Sequence, residues 1–325
     1  MFQVRPLQSI IPDTLMRLLK NQKYHLVGTH SAVKSCKWLR ETLVNGRSCY
    51  KQRFYGIKTH RCVQMTPAVH YCNMHCAFCW RAHSGDNPDL VWRETPDAAW
   101  DEPEKIVEEC VRAQLKLLTG YKANAKVDKW KFREALKPGH VAISLTGEPT
   151  LYPELSELIH LFHKRGFTTF LVSNGTIPEA LFKLGEEPTQ LYVSLCAYDE
   201  QSFLRTCRPQ LPEAWAGLNE TLSLLHTLRC PTVLRLTLAR HLNLAHPESY
   251  AKLIEKANPT YIEPKAYMHV GFSRLRLGYE NMPSHAEIRG FAQALAEETG
   301  YYFLDEAPDS RVVLLSRLEK AIMLS

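Results

Sequence analysis

Short apolar runs alternate with longer amphipathic segments through the middle of the chain. In the stretch EPEKIVEECVRAQLKLLTG, apolar residues recur every three or four positions, at Ile106, Cys110, Ala113 and Leu117. This spacing places them on one face of a helix, which is expected to end at Gly120. The pattern therefore predicts an amphipathic helix whose buried face includes Cys110, so that this cysteine is expected in the core.

The same alternation recurs along the chain. Strand-like runs are MTPAVHY, HVAISLTGEP, FTTFLVSNGT, QLYVSLCAY, TVLRLTLAR and YIEPKAYM, and helical patterns between them include LYPELSELIHLFHKRG, PEAWAGLNETLSLLHTLRC and ESYAKLIEKANP. Mostly apolar strands separated by amphipathic helices are typical of parallel β/α units with right-handed crossovers. About six such strands predict an α/β fold, namely a partial (β/α)6 barrel of the TIM type.

The chemistry of a β/α barrel lies at the carboxyl ends of its strands. Four segments lie at or near such ends: the cysteine-rich loop after the first strand, Thr146–Pro149, Ser173–Gly175 and Ser194. We therefore expect the functional site where these segments meet.

Three cysteines, Cys72, Cys76 and Cys79, lie close together in YCNMHCAFCWR. Structural zinc sites take four ligands, often from two C-x2-C pairs, and no fourth ligand follows closely here. Three thiolates can instead hold three irons of a [4Fe–4S] cluster and leave the fourth iron open to S-adenosylmethionine. A zinc loop and unrelated core thiols are the alternative interpretations.

The C-x3-C-x2-C spacing, on a loop between a strand and a helix, resembles the radical S-adenosylmethionine superfamily. The resemblance implies that Phe78 lies near the adenine of the cofactor. It also implies that Gly147 and Glu148, which are similar to the superfamily's GGE motif, receive the methionine amino group. Thr146 stands where that motif has its first glycine.

Three other polar residues are candidate contacts to S-adenosylmethionine. Asn174 and Ser194 suit its ribose or carboxylate, or else they satisfy turns. Arg235 lies within the apolar run VLRLTL, where a buried cation needs an anionic partner. That partner is either the cofactor carboxylate or a structural one, Glu148 or Glu263.

Composition narrows the class of protein. The chain has 325 residues, of which 45% are hydrophobic, and we find no apolar run typical of a membrane span or a secretory signal. Residues 1–24 are basic with one acidic residue, which is also compatible with an organellar transit peptide. Ten cysteines without signs of secretion favour metal ligation in a reducing compartment. We therefore expect a cytoplasmic protein with no membrane contact.

Charge is distributed unevenly. Residues 1–70 hold twelve Lys and Arg against two acidic residues, whereas the whole chain has a net charge of +6. Such asymmetry fits an anionic partner such as nucleic acid, or a solvated basic surface. A second basic stretch, GYKANAKVDKWKFREALKPGH, interleaves cations with Tyr121 and Trp130 and is either a nucleic-acid-contacting segment or a solvated loop. Its candidate contacts are Lys122, Lys126, Lys129, Lys131 and Arg133.

A much longer run resembles one family within the superfamily. The run is HSAVKSCKWLRETLVNGRSCYKQRFYGIKTHRCVQMTPAVHYCNMHCAFCWR, and the resemblance continues in SLTGEPTLYP, FLVSNGT, LYVSL and KAYMHVGFSRLRL. These segments are similar to the tRNA 4-demethylwyosine synthase family in its stand-alone archaeal form, over roughly residues 25–280.

This family resemblance implies a ligand set and a catalytic residue. Two [4Fe–4S] clusters are implied, one held by Cys72, Cys76 and Cys79 and an auxiliary one held by Cys36, Cys49 and Cys62. Lys51 matches the lysine that binds pyruvate as a Schiff base; without the resemblance it would be interpreted as an exposed charge or a phosphate contact. A lysine attacks a ketone only as the neutral amine, so burial or a nearby cation must lower its pKa. Arg53 is the nearby candidate cation, and an anionic cluster would oppose the shift.

Several remaining residues have weaker assignments. Cys196 stands where the family leads us to expect an aspartate. Cys207 and Cys230 are expected to be structural. Arg205 and Arg208 flank Cys207 and are candidate contacts to phosphate or substrate.

The implied reaction is the second step of wyosine and wybutosine biosynthesis. A radical derived from S-adenosylmethionine abstracts hydrogen from the N-methyl group of N1-methylguanosine-37 in tRNA-Phe, beside the anticodon. The resulting carbon radical adds to pyruvate, whose carboxylate carbon is then released before the third ring of 4-demethylwyosine closes. The implied enzyme is thus a carbon–carbon lyase and ring-forming synthase, with the basic stretch at residues 122–133 as its candidate tRNA contact.

The resemblance also carries expectations about partners and domains. Eukaryotic members carry an N-terminal flavodoxin-like domain that supplies electrons, but only 35 residues precede Cys36, so we expect an external flavodoxin or ferredoxin. We expect a monomer with a basic extension (1–65), a barrel (66–280) and a C-terminal α/β extension (281–325) packed on it as one catalytic unit. The alternatives are a radical enzyme acting on a peptide or small molecule, and a zinc-stapled RNA-binding protein.

Overall fold

The computed structural model describes residues 11–92 and 100–324. Its strands within these ranges are β1 (His25–Val27), β2 (Ser31–Val33), β3 (Cys62–Thr66), β4 (His140–Ile143), β5 (Thr168–Ser173), β6 (Gln190–Ser194), β7 (Thr232–Leu238), β8 (Tyr261–Ala266), β9 (Tyr302–Ala307) and β10 (Val312–Ser316). They form one mixed sheet in the order β1-β2-β3-β4-β5-β6-β7-β8-β10-β9.

The six strands from β3 to β8 are parallel and follow one another in sequence order. The predicted α/β class is therefore confirmed. Antiparallel strands extend the sheet at both edges, with β2 beside β3 and β10 beside β8. The sheet thus continues across both predicted boundaries, at residues 65/66 and 280/281.

The first parallel strand lies earlier than the run MTPAVHY predicts. It ends at Thr66, because the next residue is a proline, which has no N–H for the sheet ladder. The chain then turns directly into the cysteine-rich loop.

Helices connect the parallel strands where the periodicity predicts them. The helices within the described ranges are α1 (Asp13–Asn21), α2 (Lys37–Val44), α3 (Tyr50–Tyr55), α4 (Pro103–Leu118), α5 (Lys129–Ala135), α6 (Leu155–Lys164), α7 (Pro178–Phe182), α8 (Glu200–Cys207), α9 (Ala214–Leu224), α10 (Pro247–Ala257) and α11 (His285–Thr299). Cys110 is fully buried in α4, as its place on the apolar face predicts.

Alternate residues of the parallel strands face opposite sides of the sheet. On one side Val141, Leu171 and Val193 pack with the connecting helices in a large apolar cluster. On the other, which we call the inner face, Phe170 and Tyr192 pack against the aromatic side chains of α3. Helix α3 therefore covers the inner face and carries its own polar residues into the interior.

Among the described residues, the helices are all too short or too polar to cross a lipid bilayer.

Candidate active site

The loop of residues 72–79 follows the carboxyl end of β3 and is held by the segment of residues 206–209, at the end of α8. The backbone N–H of His75 donates to the carbonyl oxygen of Arg208 at 3.0 Å, and that of Ala77 donates to Thr206 at 2.9 Å. These bonds make the segment a short antiparallel partner of the loop. The loop backbone is thus fixed by tertiary hydrogen bonds, which places its three cysteines at the edge of the sheet where the site is expected.

An open cavity at this edge brings together most of the predicted contacts to S-adenosylmethionine. Its lining includes Cys72, Cys76, Phe78, Cys79, Gly147, Glu148, Asn174 and Ser194. Arg235 does not line this cavity. Thr146 does, and its buried hydroxyl oxygen has no hydrogen-bonding partner among the described residues. A polar ligand in the cavity would supply one.

Gly147 lies directly against the cysteine loop. Its φ is +71°, in the left-handed region that favours glycine. A Cβ atom built there would stand 1.7 Å from the carbonyl oxygen of Ala68. The next residue, Glu148, donates its backbone N–H to Tyr71 at 2.8 Å. Glycine is therefore required here by the close approach of two backbone segments as well as by φ.

The Glu148 carboxylate ties the ends of β4 and β5 together. It is buried and accepts hydrogen bonds from Thr150 Oγ1 at 2.7 Å, Ser173 Oγ at 2.8 Å and the backbone N–H of Asn174 at 2.8 Å. Burial raises the pKa of Glu148, and these hydrogen bonds oppose the rise. The Thr150 backbone N–H also donates, at 3.2 Å. Three of these four donors reach Oε1 and one reaches Oε2, so Oε2 keeps an acceptor position for an incoming amine.

Asn174 is also engaged within the protein. Its Nδ2 donates to Asn73 Oδ1 at 2.7 Å, and its Oδ1 accepts from Thr176 Oγ1 at 2.7 Å. Asn73 is buried between the first two cysteines and was missed by sequence reasoning, since an asparagine in a loop carries no pattern of its own. The pair joins the cysteine loop to the end of β5.

The thiols of Cys72, Cys76 and Cys79 form one group. Burial is the main cause that raises the pKa of Cys72 to about 12; the thiols of Cys76 and Cys79 add to the rise, and Arg81 opposes it. The described residues contain no set of His, Cys, Asp and Glu side chains arranged around a single metal ion. Three soft thiol donors facing a polar cavity fit an iron–sulfur cluster with an open iron, as does the nearby Thr146 hydroxyl, which no described residue partners.

Cys36, Cys49 and Cys62 form a second group, although thirteen residues separate each from the next. Cys36 and Cys49 immediately precede α2 and α3, and Cys62 begins β3. Burial is the main cause that raises the pKa of Cys49 to about 11 and that of Cys62 to about 12, and the Cys36 thiol adds to both. The fold therefore gathers these thiols at the amino end of β3, where they fit a second cluster by the same donor chemistry.

Lys51 lies on α3, and its side chain packs against the inner face of the sheet. Its Nζ is 3.9 Å from the centroid of the Tyr192 ring and 4.2 Å from that of Phe170, and it has no hydrogen-bonding partner among the described residues. Burial, and then the charge of Arg235, lower the pKa of Lys51 to about 7, while Glu263 and the nearby cysteines oppose the shift. A neutral, nucleophilic amine is thus accessible near neutral pH.

The cation predicted to lower the Lys51 pKa was wrongly identified. Arg53 forms an ion pair with Asp305, from its Nε to Oδ2 at 2.8 Å, and its side chain is 53% exposed. It lies on the same short helix but faces away from the interior. Arg235, which is distant in sequence, supplies the charge instead.

Arg235 pairs with Glu263, one of the structural partners expected from the sequence. Its Nη2 and Nε lie 2.9 and 3.2 Å from Oε2 of Glu263, and Nη2 also donates to the Tyr50 hydroxyl at 2.6 Å. The guanidinium carbon is 4.4 Å from the centroid of the Tyr192 ring. The structure thus places Arg235 beside Lys51 on the inner face.

The chain is similar to known proteins over most of its length. A family model described as "Wyosine base formation" matches residues 256–317. An S-adenosyl-L-methionine-dependent tRNA 4-demethylwyosine synthase of Pyrococcus abyssi is 51% identical over 311 residues, covering 94% of this chain and 90% of that protein. A solved TYW1 with a lysine–pyruvate adduct bound has a TM-score of 0.85 and 42% identity, covering 94% of this chain and 96% of the other. A crystal structure of archaeal TYW1 has a TM-score of 0.78 and 38% identity, covering 96% of this chain and 98% of that one.

The chain belongs to the tRNA 4-demethylwyosine synthase family. The resemblance drawn from the cysteine spacing and its flanking segments is therefore confirmed.

Three residues with weaker assignments make contacts within the protein. Cys207 is buried in hydrogen-bonding contact with the Cys76 thiol. Arg205 donates to the carbonyl oxygen of Leu242 at 2.9 Å. The thiol of Cys196 is buried 3.9 Å from the carbonyl oxygen of Arg235. These contacts lie beside the cysteine loop and the strands, and the contact of Arg205 with phosphate or substrate stays a prediction.

The basic segment at residues 122–133 lies away from the cavity. Asp128 begins α5 by accepting hydrogen bonds from two backbone N–H groups. Glu134 then binds Lys58 at 2.5 Å and His60 at 2.9 Å. Lys58 and His60 precede β3, so this segment borders the amino ends of the strands. Its contact with tRNA stays a prediction.

Proposed function

We propose that this chain is a radical S-adenosylmethionine enzyme that makes 4-demethylwyosine. It joins two carbons of pyruvate to N1-methylguanosine-37 of tRNA-Phe and releases the carboxylate carbon of pyruvate, as a carbon–carbon lyase and ring-forming synthase. The six parallel strands serve as its partial (β/α)6 barrel. The observation that carries the proposal is the buried Lys51, which has no hydrogen-bonding partner in the part of the chain that the structure describes and lies close to Cys49 and Cys62, in a family with a solved lysine–pyruvate adduct.

Cys72, Cys76 and Cys79 would hold a [4Fe–4S] cluster whose open iron faces the cavity. When bound there, the cluster and S-adenosylmethionine supply a carbon-centred radical that can remove hydrogen from an unactivated methyl group. Glu148 and Thr146 would orient the methionine end of the cofactor, because both line the cavity beside the cysteines. Phe78 would pack against its adenine.

Lys51 would bind pyruvate covalently. Its neutral Nζ attacks the ketone carbon, and loss of water gives an imine. Phe170 and Tyr192 pack against Nζ and keep it dry, which favours the neutral amine because burial disfavours its charged form. Cys36, Cys49 and Cys62 would hold the auxiliary cluster next to this imine.

The target base has to leave the stack of the anticodon loop before its methyl group can reach the cavity. The cations of residues 122–133 would contact the tRNA backbone away from that base. An external flavodoxin or ferredoxin would supply electrons. We further propose that the protein acts in the cytoplasm as a monomer.

The test is an anaerobic assay of the reconstituted protein with tRNA carrying N1-methylguanosine, pyruvate, S-adenosylmethionine and a reductant. We expect the tricyclic base in the nucleoside digest by mass spectrometry. Lys51→Ala should still cleave S-adenosylmethionine but yield no tricyclic base. Lys58→Ala, which removes a lysine 49% exposed beside Glu134, is the matched control and should retain product. No tricyclic base from wild type would overturn the function, and full product from Lys51→Ala would overturn the imine.

A further inference from the structure

The guanidinium of Arg235 is hydrogen-bonded at one end, whereas its other end bonds to none of the described residues. Its Nε and Nη2 donate to Glu263 and Tyr50, but Nη1 makes no hydrogen bond to the described residues. The side chain is 17% exposed although its bonded end lies against Glu263, which is fully buried. The Nη1 edge therefore keeps two N–H donors that no residue in the described ranges accepts.

The bonded end holds the guanidinium rigidly. Glu263 is itself fixed, because its Oε1 accepts from the Tyr55 hydroxyl at 2.8 Å and from the Tyr192 hydroxyl at 3.2 Å. The guanidinium also stacks on the Tyr192 ring. A planar fork held in this way is pre-organised to bind a planar anion.

Lys51 and Arg235 both pack against the ring of Tyr192. Lys51 Nζ and the Arg235 guanidinium carbon lie 3.9 and 4.4 Å from the centroid of Tyr192, so the two groups are no farther apart than the sum of these distances. In an α-keto acid the carboxylate carbon is bonded directly to the ketone carbon that Lys51 attacks. A carboxylate on a Lys51 adduct therefore extends from Nζ toward the Arg235 guanidinium if it points toward β7.

The position of Arg235 in the sheet also connects it with the cavity. It pairs in register with Ser194 on β6, and Ser194 lines the cavity beside the three cysteines. The same inner face carries Lys265, whose Nζ donates to the Ser310 carbonyl oxygen at 2.6 Å. Because Arg235 neutralises Glu263, Lys265 is a further cation that favours a carboxylate on this face.

We propose that Arg235 binds the carboxylate of the α-keto acid held on Lys51, and so selects an α-keto acid over a neutral ketone. This inference rests on the proposed imine at Lys51. It gives Arg235 contact with pyruvate in place of the contact with S-adenosylmethionine expected from the sequence. The alternative is that Arg235 is only the structural partner of Glu263.

Borohydride trapping separates the two roles. Borohydride reduces the imine to a stable amine, so the mass of the peptide containing Lys51 reports how much ketone is bound. The half-saturating concentration is measured for pyruvate and for pyruvamide, whose amide replaces the carboxylate. Loss of the Arg235 charge alters the reactivity of Lys51 toward both ketones alike, so the ratio of the two concentrations isolates the carboxylate contact.

We expect the reconstituted wild type to prefer pyruvate by about ten- to a hundredfold, as for a hydrogen bond to a charged group. Arg235→Lys should lose most of this preference, since one ammonium cannot bind Glu263 and the substrate together. The double variant Arg235→Gln/Glu263→Gln serves if Arg235→Lys fails to fold, because it keeps a hydrogen-bonded pair and leaves no unpaired buried charge. It should also lose the preference for pyruvate. Arg229→Gln, which replaces an arginine 90% exposed, should keep it.

An unchanged ratio in a folded Arg235 variant would overturn the inference, even if both ketones bind more weakly, because that is the result of a purely structural role. A wild type that traps pyruvate and pyruvamide equally would overturn it as well, while leaving the imine in place. A wild type that traps neither ketone would overturn the imine at Lys51 and the inference with it.

Discussion

Arg276 and Asp86 form an ion pair in which Nη1 lies 2.8 and 2.7 Å from the two carboxylate oxygens. Their side chains are only 8% and 9% exposed. The same guanidinium donates to the carbonyl oxygens of Cys79, of Arg81 at 3.1 Å and of Ala77 at 3.4 Å. A single side chain from the segment after β8 therefore fixes the last turn of the cysteine loop.

Arg276→Ala is predicted to loosen the cysteine loop. The variant leaves Asp86 buried without its partner and frees three loop carbonyl groups, which should lower the free energy of unfolding by about 3–5 kcal/mol. Iron retention after anaerobic reconstitution should fall with it. Urea unfolding and iron analysis provide the measurements. Arg274→Ala, at an exposed position in the same segment, should change stability by less than about 0.5 kcal/mol; equal effects of the two variants would contradict the role of Arg276.

Gly147→Ala tests the contact between the two loops of the site. The added Cβ would overlap the Ala68 carbonyl oxygen and meet the strain of a positive φ, so we expect the melting temperature and the iron content both to fall. Gly300→Ala is the matched control, because its φ is also +71° but a Cβ there would meet nothing within 4 Å. That variant should lose about 1–2 kcal/mol, the cost of the backbone conformation alone. Equal losses would show that the close approach at Gly147 is unimportant.

Iron content distinguishes one cluster from two. After anaerobic reconstitution the wild type should bind about eight irons per chain, four for each cubane. The triple variants Cys72→Ala/Cys76→Ala/Cys79→Ala and Cys36→Ala/Cys49→Ala/Cys62→Ala should each bind about four. Cys230→Ser, which changes a cysteine outside both groups, should bind about eight. Four irons in the wild type, lost entirely with the first group, would leave the second group without a cluster.

The parts of the fold that could be predicted from the sequence are those that bury one face over several turns or residues. Strands β4 to β8 and helices α4, α6, α9 and α10 show clear periodicity for this reason. Strands β1 and β2 have three residues each, too few to show alternation. Helix α3 has six residues and is stabilised by packing on the inner face rather than by its own pattern. Elements of this kind become visible only in the tertiary structure.

The residues of the candidate site also fall into two kinds, those that local sequence indicates and those that only the fold brings together. Closely spaced cysteines could be recognised locally, and the wider set of Cys36, Cys49 and Cys62 only through the family resemblance. Arg235 could be identified as a buried cation, because it interrupts an apolar strand, but its neighbour Lys51 could not be inferred from spacing. Arg276 lies 197 residues from Cys79, and nothing in its local sequence indicates a role in the site. Such residues act through contacts that the fold creates.

The basic segment before β4 is the last feature open to a direct test. Its position at the amino ends of the strands predicts contact with the tRNA backbone, not with the target base. Replacing Lys122, Lys126, Lys129, Lys131 and Arg133 by Gln should weaken tRNA binding. It should also make the dependence of binding on salt concentration shallower, by about one unit of logarithmic slope for each phosphate that the protein no longer neutralises. Pyruvate trapping on Lys51 should not change.

A charge-matched variant is needed as the control for that experiment, since removing any five cations lowers the general attraction to RNA. Lys164, Lys183, Arg229, Lys252 and Lys256 are exposed cations elsewhere on the chain, and replacing them by Gln removes the same charge. If residues 122–133 contact phosphates, the salt dependence falls more in the first variant than in this one. Equal slopes in the two variants would mean that the segment is a solvated loop, and that the tRNA contacts must be sought around the cavity at the opposite ends of the strands.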